Sequence, residues 1–129
     1  MKSVVICGSC RFKSQIREFA KKLKALGVVV FEPHLDSGKE EWTKLSDSYK
    51  NFVLLGLTHD HFYKIKMADV VFIFNENGYS GNSTTLETGY AVALGKPIYA
   101  FSGDDEELSR RVLIREIINK PEDLVERLR

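Results

Sequence analysis

The stretch GYSGNSTTLETGYA, Gly78 to Ala91, passes from small and hydroxyl-bearing residues into a helical pattern and sets an acid, Glu87, near the junction. Two roles suit an acid there. Thr84-x-x-Glu87 matches a helix capping box, in which the carboxylate folds back on the cap N–H and serves stability alone. Alternatively the carboxylate faces a ligand, because the glycines and small side chains of GYSGNS let one come close to the backbone. A helix N-terminus would lower its pKa and keep it ionised. An ionised carboxylate beside a sugar can attack or stabilise an anomeric carbon whose transition state resembles an oxocarbenium ion, as in retaining glycosyl transfer.

A second chemical segment is CGSCRF, Cys7 to Phe12. Gly8 permits close backbone approach, Ser9 offers a hydroxyl, and Arg11 offers a fork for phosphate, with a following helix pointing free N–H groups at the loop. The plainer alternative is that Gly8 and Ser9 turn and cap that helix while Arg11 is solvated. Cys7-Gly8-Ser9-Cys10 is also a C-x-x-C motif after a strand, which raises redox chemistry. Against it, Cys7 closes an apolar strand, where a thiol acts as a small hydrophobe. The third segment carries His59, Asp60 and His61. A histidine there could serve as acid or hydrogen-bond donor, or be structural.

The elements that must position these groups follow from apolar patterning. SVVIC (Ser3 to Cys7), VVVFE (Val28 to Glu32), DVVFIF (Asp69 to Phe74) and PIYAF (Pro97 to Phe101) are short and nearly continuously apolar, as buried parallel strands are. Between the first two, Ile16, Phe19, Ala20, Leu23 and Leu26 recur at helical spacing, and Gly27 suits the C-cap. The third strand is preceded by a helix expected over Leu57 to Met67, capped near Thr58 to Asp60. Leu86 to Leu94 reads as a helix closed by Gly95. Beyond Asp104, DDEELSRRV reads as a short helix, LIREII as a fifth strand and PEDLVERLR as a terminal helix with Pro121 in its first turn. Pro33 to Tyr49 is the least regular part, a loop or partly helical excursion. Asp69 opens a buried strand and is expected to bond backbone.

Alternating strands and helices imply a parallel sheet of four or five strands with helices on both faces, doubly wound in the order 2-1-3-4-5. The crevice between the carboxyl ends of strands one and three is then the switch point where ligands bind. The loops GSCRF and NENGYSGNS flank it, and the first turn of the helix carrying His61 should reach the same edge.

A chain of 129 residues, 43% hydrophobic and 29% charged, suits one domain over residues 1–129. Lys and Arg number 19 against 18 Asp and Glu, so no basic excess points to nucleic acid or an anionic membrane surface. Apolar runs are too short to span a membrane, and MKSVVICG lacks a signal-peptide layout, so a soluble cytoplasmic protein is expected. Two cysteines give no disulfide framework and no zinc site from cysteine alone.

VVICGSCRF, HFYKIKMADVVFIFN and GYSGNSTTLETGYAVALGKPIYAF together resemble the nucleoside 2-deoxyribosyltransferase superfamily, which includes the deoxynucleoside 5′-monophosphate N-glycosidases. The likeness spans roughly Val4 to Phe101. It implies a flavodoxin-like fold, a covalent glycosyl intermediate on Glu87, and a homo-oligomer, dimer or higher, whose subunits complete each other's sites. It further implies that Gly8, Ser9 and Arg11 contact sugar or phosphate. Those enzymes place an aspartate on the helix before the third strand, where this chain has His61, with Asp60 adjacent. The aromatic-rich tail that often closes the transferase pocket has no recognisable counterpart. The expectation is therefore an enzyme that breaks or exchanges the N-glycosidic bond of a nucleoside or nucleotide without a metal or organic cofactor. Glu87 is the candidate nucleophile and His61 the proton donor, with Gly8, Ser9, Arg11, Gly81, Asn82 and Ser83 around the sugar and any phosphate. Two alternatives stand beside it: a phosphoribohydrolase similar to the cytokinin-activating enzymes, whose Gly-rich loop before Thr-x-x-Glu is like SGNSTTLE, and a catalytically silent nucleotide sensor.

Overall fold

The computed structural model describes residues 2–35 and 39–129. Its centre is a five-stranded sheet in the order β2-β1-β3-β4-β5. The strands β1 (Ser3–Gly8), β2 (Val29–Phe31), β3 (Val70–Phe74), β4 (Ile98–Ala100) and β5 (Glu116–Ile117) pair in parallel throughout. The register between the two central strands runs from Val4 opposite Val70 to Gly8 opposite Phe74.

Both faces are covered because side chains alternate along each strand. Val4 and Ile6 with Val70, Phe72 and Phe74 pack against Ile16, Phe19 and Leu23 of α1 (Lys13–Ala25) and Leu124 and Leu128 of α6 (Pro121–Leu128). Val5, Cys7, Val71 and Ile73 point the other way, onto Ile65 of α3 (Asp47–Met67) and Ala91 of α4 (Asn82–Ala93). The expected doubly wound arrangement and strand order are therefore present. Two short helices complete the chain, α2 (Lys39–Lys44) and α5 (Leu108–Arg111).

Beyond strands and a short helix that lose residues at their ends, three boundaries differ most from expectation. The helix before β3 begins at Asp47, not near Thr58 to Asp60, and Ser46 caps it by accepting a hydrogen bond from Tyr49 N–H at 3.3 Å. Thr58 and Asp60, read as cap residues, are mid-helix, and the interior Gly56, worth about 1 kcal/mol against helix, is outweighed. Part of Pro33 to Tyr49 is accordingly helical; residues 36–38 of it lie outside the described residues. The second difference is that α4 starts at Asn82 rather than Leu86, with Gly81 as an N-cap that makes no side-chain hydrogen bond. Finally, the fifth strand shrinks from LIREII to Glu116–Ile117. Asp69 sits at the amino edge of the sheet, where its Oδ2 accepts hydrogen bonds from Ser3 N at 2.7 Å and Ser3 Oγ at 3.0 Å.

Candidate active site

A cleft of about 590 Å³ opens at the carboxyl ends of β1 and β3, on the α3–α4 side. The β1 loop contributes Gly8, Ser9 and Cys10, and the segment after β2 contributes Pro33 and His34. Trp42 of α2, Leu54, Leu57, Thr58, His61 and Phe62 of α3, and Gly81, Ser83, Thr84, Leu86 and Glu87 around α4 form the rest. Gly8 is required where the strand meets its cover: a Cβ there would stand 2.8 Å from Ile16 Cδ1 and 3.2 Å from the Phe74 carbonyl oxygen.

On the floor, three side chains from three elements converge. His61 Nε2 lies 3.3 Å from Cys7 Sγ and 3.7 Å from Glu87 Oε1. The Cys7 thiol hydrogen-bonds the Glu87 carboxylate. His61 Nδ1 is buried without a hydrogen-bond partner. Cysteine, histidine and acid invite comparison with a nucleophilic relay, but such a relay sets the thiol on one ring nitrogen and the acid on the other. Here both face Nε2, so the imidazole cannot pass a proton through itself from thiol to acid. Burial, then the charge and hydrogen bond of Glu87, raise the Cys7 thiol well above its ordinary range. A protonated, buried thiol paired in sequence with an exposed Cys10 is the opposite of the reactive thiolate that C-x-x-C redox chemistry uses.

Burial raises Glu87 to about 7, and only the Cys7 hydrogen bond acts against it. The lowered pKa expected from the helix N-terminus is thus overturned. Because α4 starts at Asn82, Glu87 lies beyond the first turn, where the macrodipole has faded and desolvation dominates. The capping box also fails for that reason: Thr84 lies within the helix, and the acid is free to face the cleft. His61 is lowered to about 4 by burial, then by Lys64, with Asp60 opposing. It is neutral at neutral pH and cannot act there as an imidazolium donor. It also stands in the middle of α3, not in a first turn.

Among the sequence-predicted residues, Glu87, His61, Gly8, Ser9, Gly81 and Ser83 meet in the cleft. Arg11 and Asn82 are not in its wall. The Arg11 guanidinium lies over the Tyr79 ring at 3.5 Å, and its backbone N–H donates to Ser9 Oγ at 3.1 Å, so Ser9 also performs the capping expected of it. Reading the sequence missed Trp42 and the apolar wall. Leu54, Leu57, Thr58 and His61 stand at i, i+3, i+4 and i+7 of one helix face, a spacing that identifies the wall once the helix is known to extend back past Leu57. Also missed was a buried clamp behind the cleft. Asp105 accepts from Arg110 Nη2 at 2.8 Å and from Asn75 Nδ2 at 3.0 Å, while Arg110 Nη1 donates to Thr85 Oγ1 in α4 at 2.6 Å.

Among solved structures, a 2-deoxyribosyltransferase from Bacillus psychrosaccharolyticus is similar at 19% identity and TM-score 0.64, over 95% of this chain and 89% of that one. A conserved protein from Enterococcus faecalis V583 is similar at 14% identity and TM-score 0.59, over 99% and 97% of the two chains. A CMP N-glycosidase from Clostridium botulinum follows at 18% identity and TM-score 0.51, over 98% of each chain. No curated protein matches the sequence. At these identities the likenesses establish the fold, and within the described residues no helix is long and apolar enough to cross a membrane. The family pattern Nucleoside 2-deoxyribosyltransferase matches residues 6–125, and with nearly the whole chain covered, the protein belongs to the nucleoside 2-deoxyribosyltransferase family.

Proposed function

We propose that the protein cleaves or exchanges the N-glycosidic bond of a (deoxy)nucleoside or nucleoside 5′-monophosphate, with Glu87 as the nucleophile. The observation that carries this reading is a carboxylate on the floor of an open cleft, 15% exposed, facing a thiol and a neutral imidazole and, among the described residues, paired with no lysine or arginine. The sugar would rest against Gly8, Ser9, Gly81 and Ser83, and the base against the apolar wall that includes Trp42, Leu57 and Phe62. A Glu87 oxygen attacks the anomeric carbon as the carbon–nitrogen bond breaks and the base leaves, taking up a proton from water in the open cleft. Water, or a second base, then attacks the same carbon and releases the carboxylate, giving hydrolysis or exchange. His61 Nε2, 3.7 Å from the carboxylate and 3.3 Å from Cys7 Sγ, forms the wall beside the nucleophile. The similar solved proteins include a transferase and an N-glycosidase, which suits either outcome.

A homo-oligomer belongs to the same reading. The outer half of α3 exposes Tyr49, Phe52 and Leu55 beside the cleft-lining Leu54, a face that a second copy would cover. The test is a panel of ribo- and deoxyribonucleosides and their 5′-monophosphates, incubated with the protein and with Glu87→Ala, with free base read by chromatography. Release by the wild type and none by the variant is expected. Release that survives the substitution overturns the role of Glu87. Binding without release across the panel leaves a nucleotide sensor, and ribonucleotide 5′-monophosphates as the sole substrates indicate a phosphoribohydrolase.

A further inference from the structure

The three groups on the cleft floor also form a donor set, although the glycosidic chemistry uses Glu87 as a nucleophile and needs no metal. One ligand atom each from Cys7, His61 and Glu87 lies within 4.8 Å of the other two. We propose that this trio is a binding site for a borderline-soft divalent cation, zinc foremost, and that the bound ion blocks the cleft reversibly. Tetrahedral zinc with sulfur at about 2.3 Å and nitrogen or oxygen at about 2.0–2.1 Å holds its donor atoms roughly 3.3–3.6 Å apart. The Cys7 to His61 separation of 3.3 Å is a few tenths of an ångström inside the sulfur–nitrogen span, and the His61 to Glu87 separation of 3.7 Å a few tenths outside the nitrogen–oxygen span, so small rotamer adjustments close the site.

Donor chemistry agrees with the geometry. Thiolate and imidazole select zinc over magnesium or calcium. On binding, the Cys7 S–H bond breaks, a sulfur–metal bond forms, and the thiol proton, with any proton held by Glu87, leaves to solvent. Thiolate, carboxylate and neutral imidazole then carry two negative charges against the two positive charges of the ion, so the buried cluster is neutral as a whole. The fourth position faces the cleft, where a water fits. The donors sit on β1, α3 and α4 and are held by the core. One feature marks the ion as exchangeable. Resident zinc histidines hydrogen-bond through the second ring nitrogen, whereas His61 Nδ1 has no partner.

Binding of metal stands apart from the glycosidic reading; only the inhibition rests on it. The experiment titrates cobalt(II) into the metal-free full chain, follows the thiolate-to-cobalt charge-transfer band, and displaces the cobalt with zinc. One ion per chain is expected, with the band retained in Cys10→Ser and abolished in Cys7→Ser. Glu87→Gln, which keeps the shape of the site, should weaken zinc about tenfold or more and covers the case in which Cys7→Ser fails to fold. No saturable uptake, a band that follows Cys10, or zinc affinity unchanged in Glu87→Gln would each overturn the site. Zinc bound at Cys7 together with undiminished base release would overturn the blocking role alone.

Discussion

Replacing Glu87 by Gln should abolish base release and, at the same time, stabilise the protein at alkaline pH. The carboxyl titrates near 7 in the folded chain against 4.5 when unperturbed, because it is buried. At 1.36 kcal/mol per pKa unit, the ionised form costs the native state at most about 3 kcal/mol once both states are deprotonated. The open cleft admits water, so a gain of about 1–2 kcal/mol is expected for the neutral isostere at pH 8, or roughly 3–8 °C in midpoint. The direction follows from proton counts. Between about 4.5 and 7 the native protein retains a proton that the unfolded chain has released, so wild-type stability falls as pH rises through that window. Gln carries no such slope, and below pH 4.5 the two proteins should be equally stable. His61 titrates in both and cancels in the difference. Urea denaturation of each at pH 4, 6 and 8 measures the effect, and base release should drop about 10³-fold or more in the same samples. A variant less stable than wild type at pH 8, or a difference that does not change with pH, would refute the reasoning.

The other expectations concern the same cleft and its supports. Base release should rise with pH through an apparent pKa near 7 as Glu87 becomes the nucleophilic anion, and a profile flat from pH 5 to 9 would remove that assignment. Arg110→Met leaves the fully buried Asp105 without its ion partner and should cost about 3–5 kcal/mol in urea denaturation, with Asp105→Asn recovering part of it in the double variant. Gly78→Ala sets a Cβ 1.9 Å from the Asp104 carbonyl oxygen at φ +79° and should destabilise by about 2 kcal/mol or more. If α3 forms the proposed interface between copies, Phe52→Glu, which charges a side chain 72% exposed on its outer half, should shift sedimentation to the monomer while the circular dichroism of the subunit is kept, and an unchanged sedimentation would remove that interface.

How much of this was legible in the sequence depends on whether the signal is local. The strands of the sheet declare themselves because a parallel strand covered on both faces must be apolar along its length, as VVFIF in β3 is. Their order follows from alternation with helices, and the switch point then assigns Gly8, Ser9 and Glu87 to one cleft. The start of α3 was hidden because Thr58 and Asp60 imitate a cap and Gly56 a break, while apolar residues along its outer half serve an exposed face rather than a core stripe. The clamp was hidden because Asp105 and Arg110, five residues apart, do not stand at a helical pairing interval, and their partners Asn75 and Thr85 come from distant turns. The pKa of Glu87 was misjudged since burial is a property of the packed neighbours, not of position in a helix.

The contrast between the two buried acids is the strongest physical argument for function. Asp105 is fully buried and is answered by Arg110, Asn75 and the Glu107 N–H, an arrangement that satisfies a carboxylate completely. Glu87, partly buried on the cleft floor, meets a thiol and an imidazole that is neutral at neutral pH. A fold able to supply a guanidinium to one acid leaves the other, among the described residues, without one, and in the proposed reaction the missing positive charge is met by a guest. Under the proposed function an oxocarbenium-like sugar would provide it at the moment the glycosidic bond breaks and not before, so the stabilisation would be spent on the transition state rather than on the bound substrate. A zinc ion at the proposed site would provide it for as long as it stays bound, so the same electrostatics that favour the reaction would also expose the site to reversible arrest by metal. A side chain that filled the gap, such as Lys placed at Thr58, should therefore suppress base release and zinc binding together.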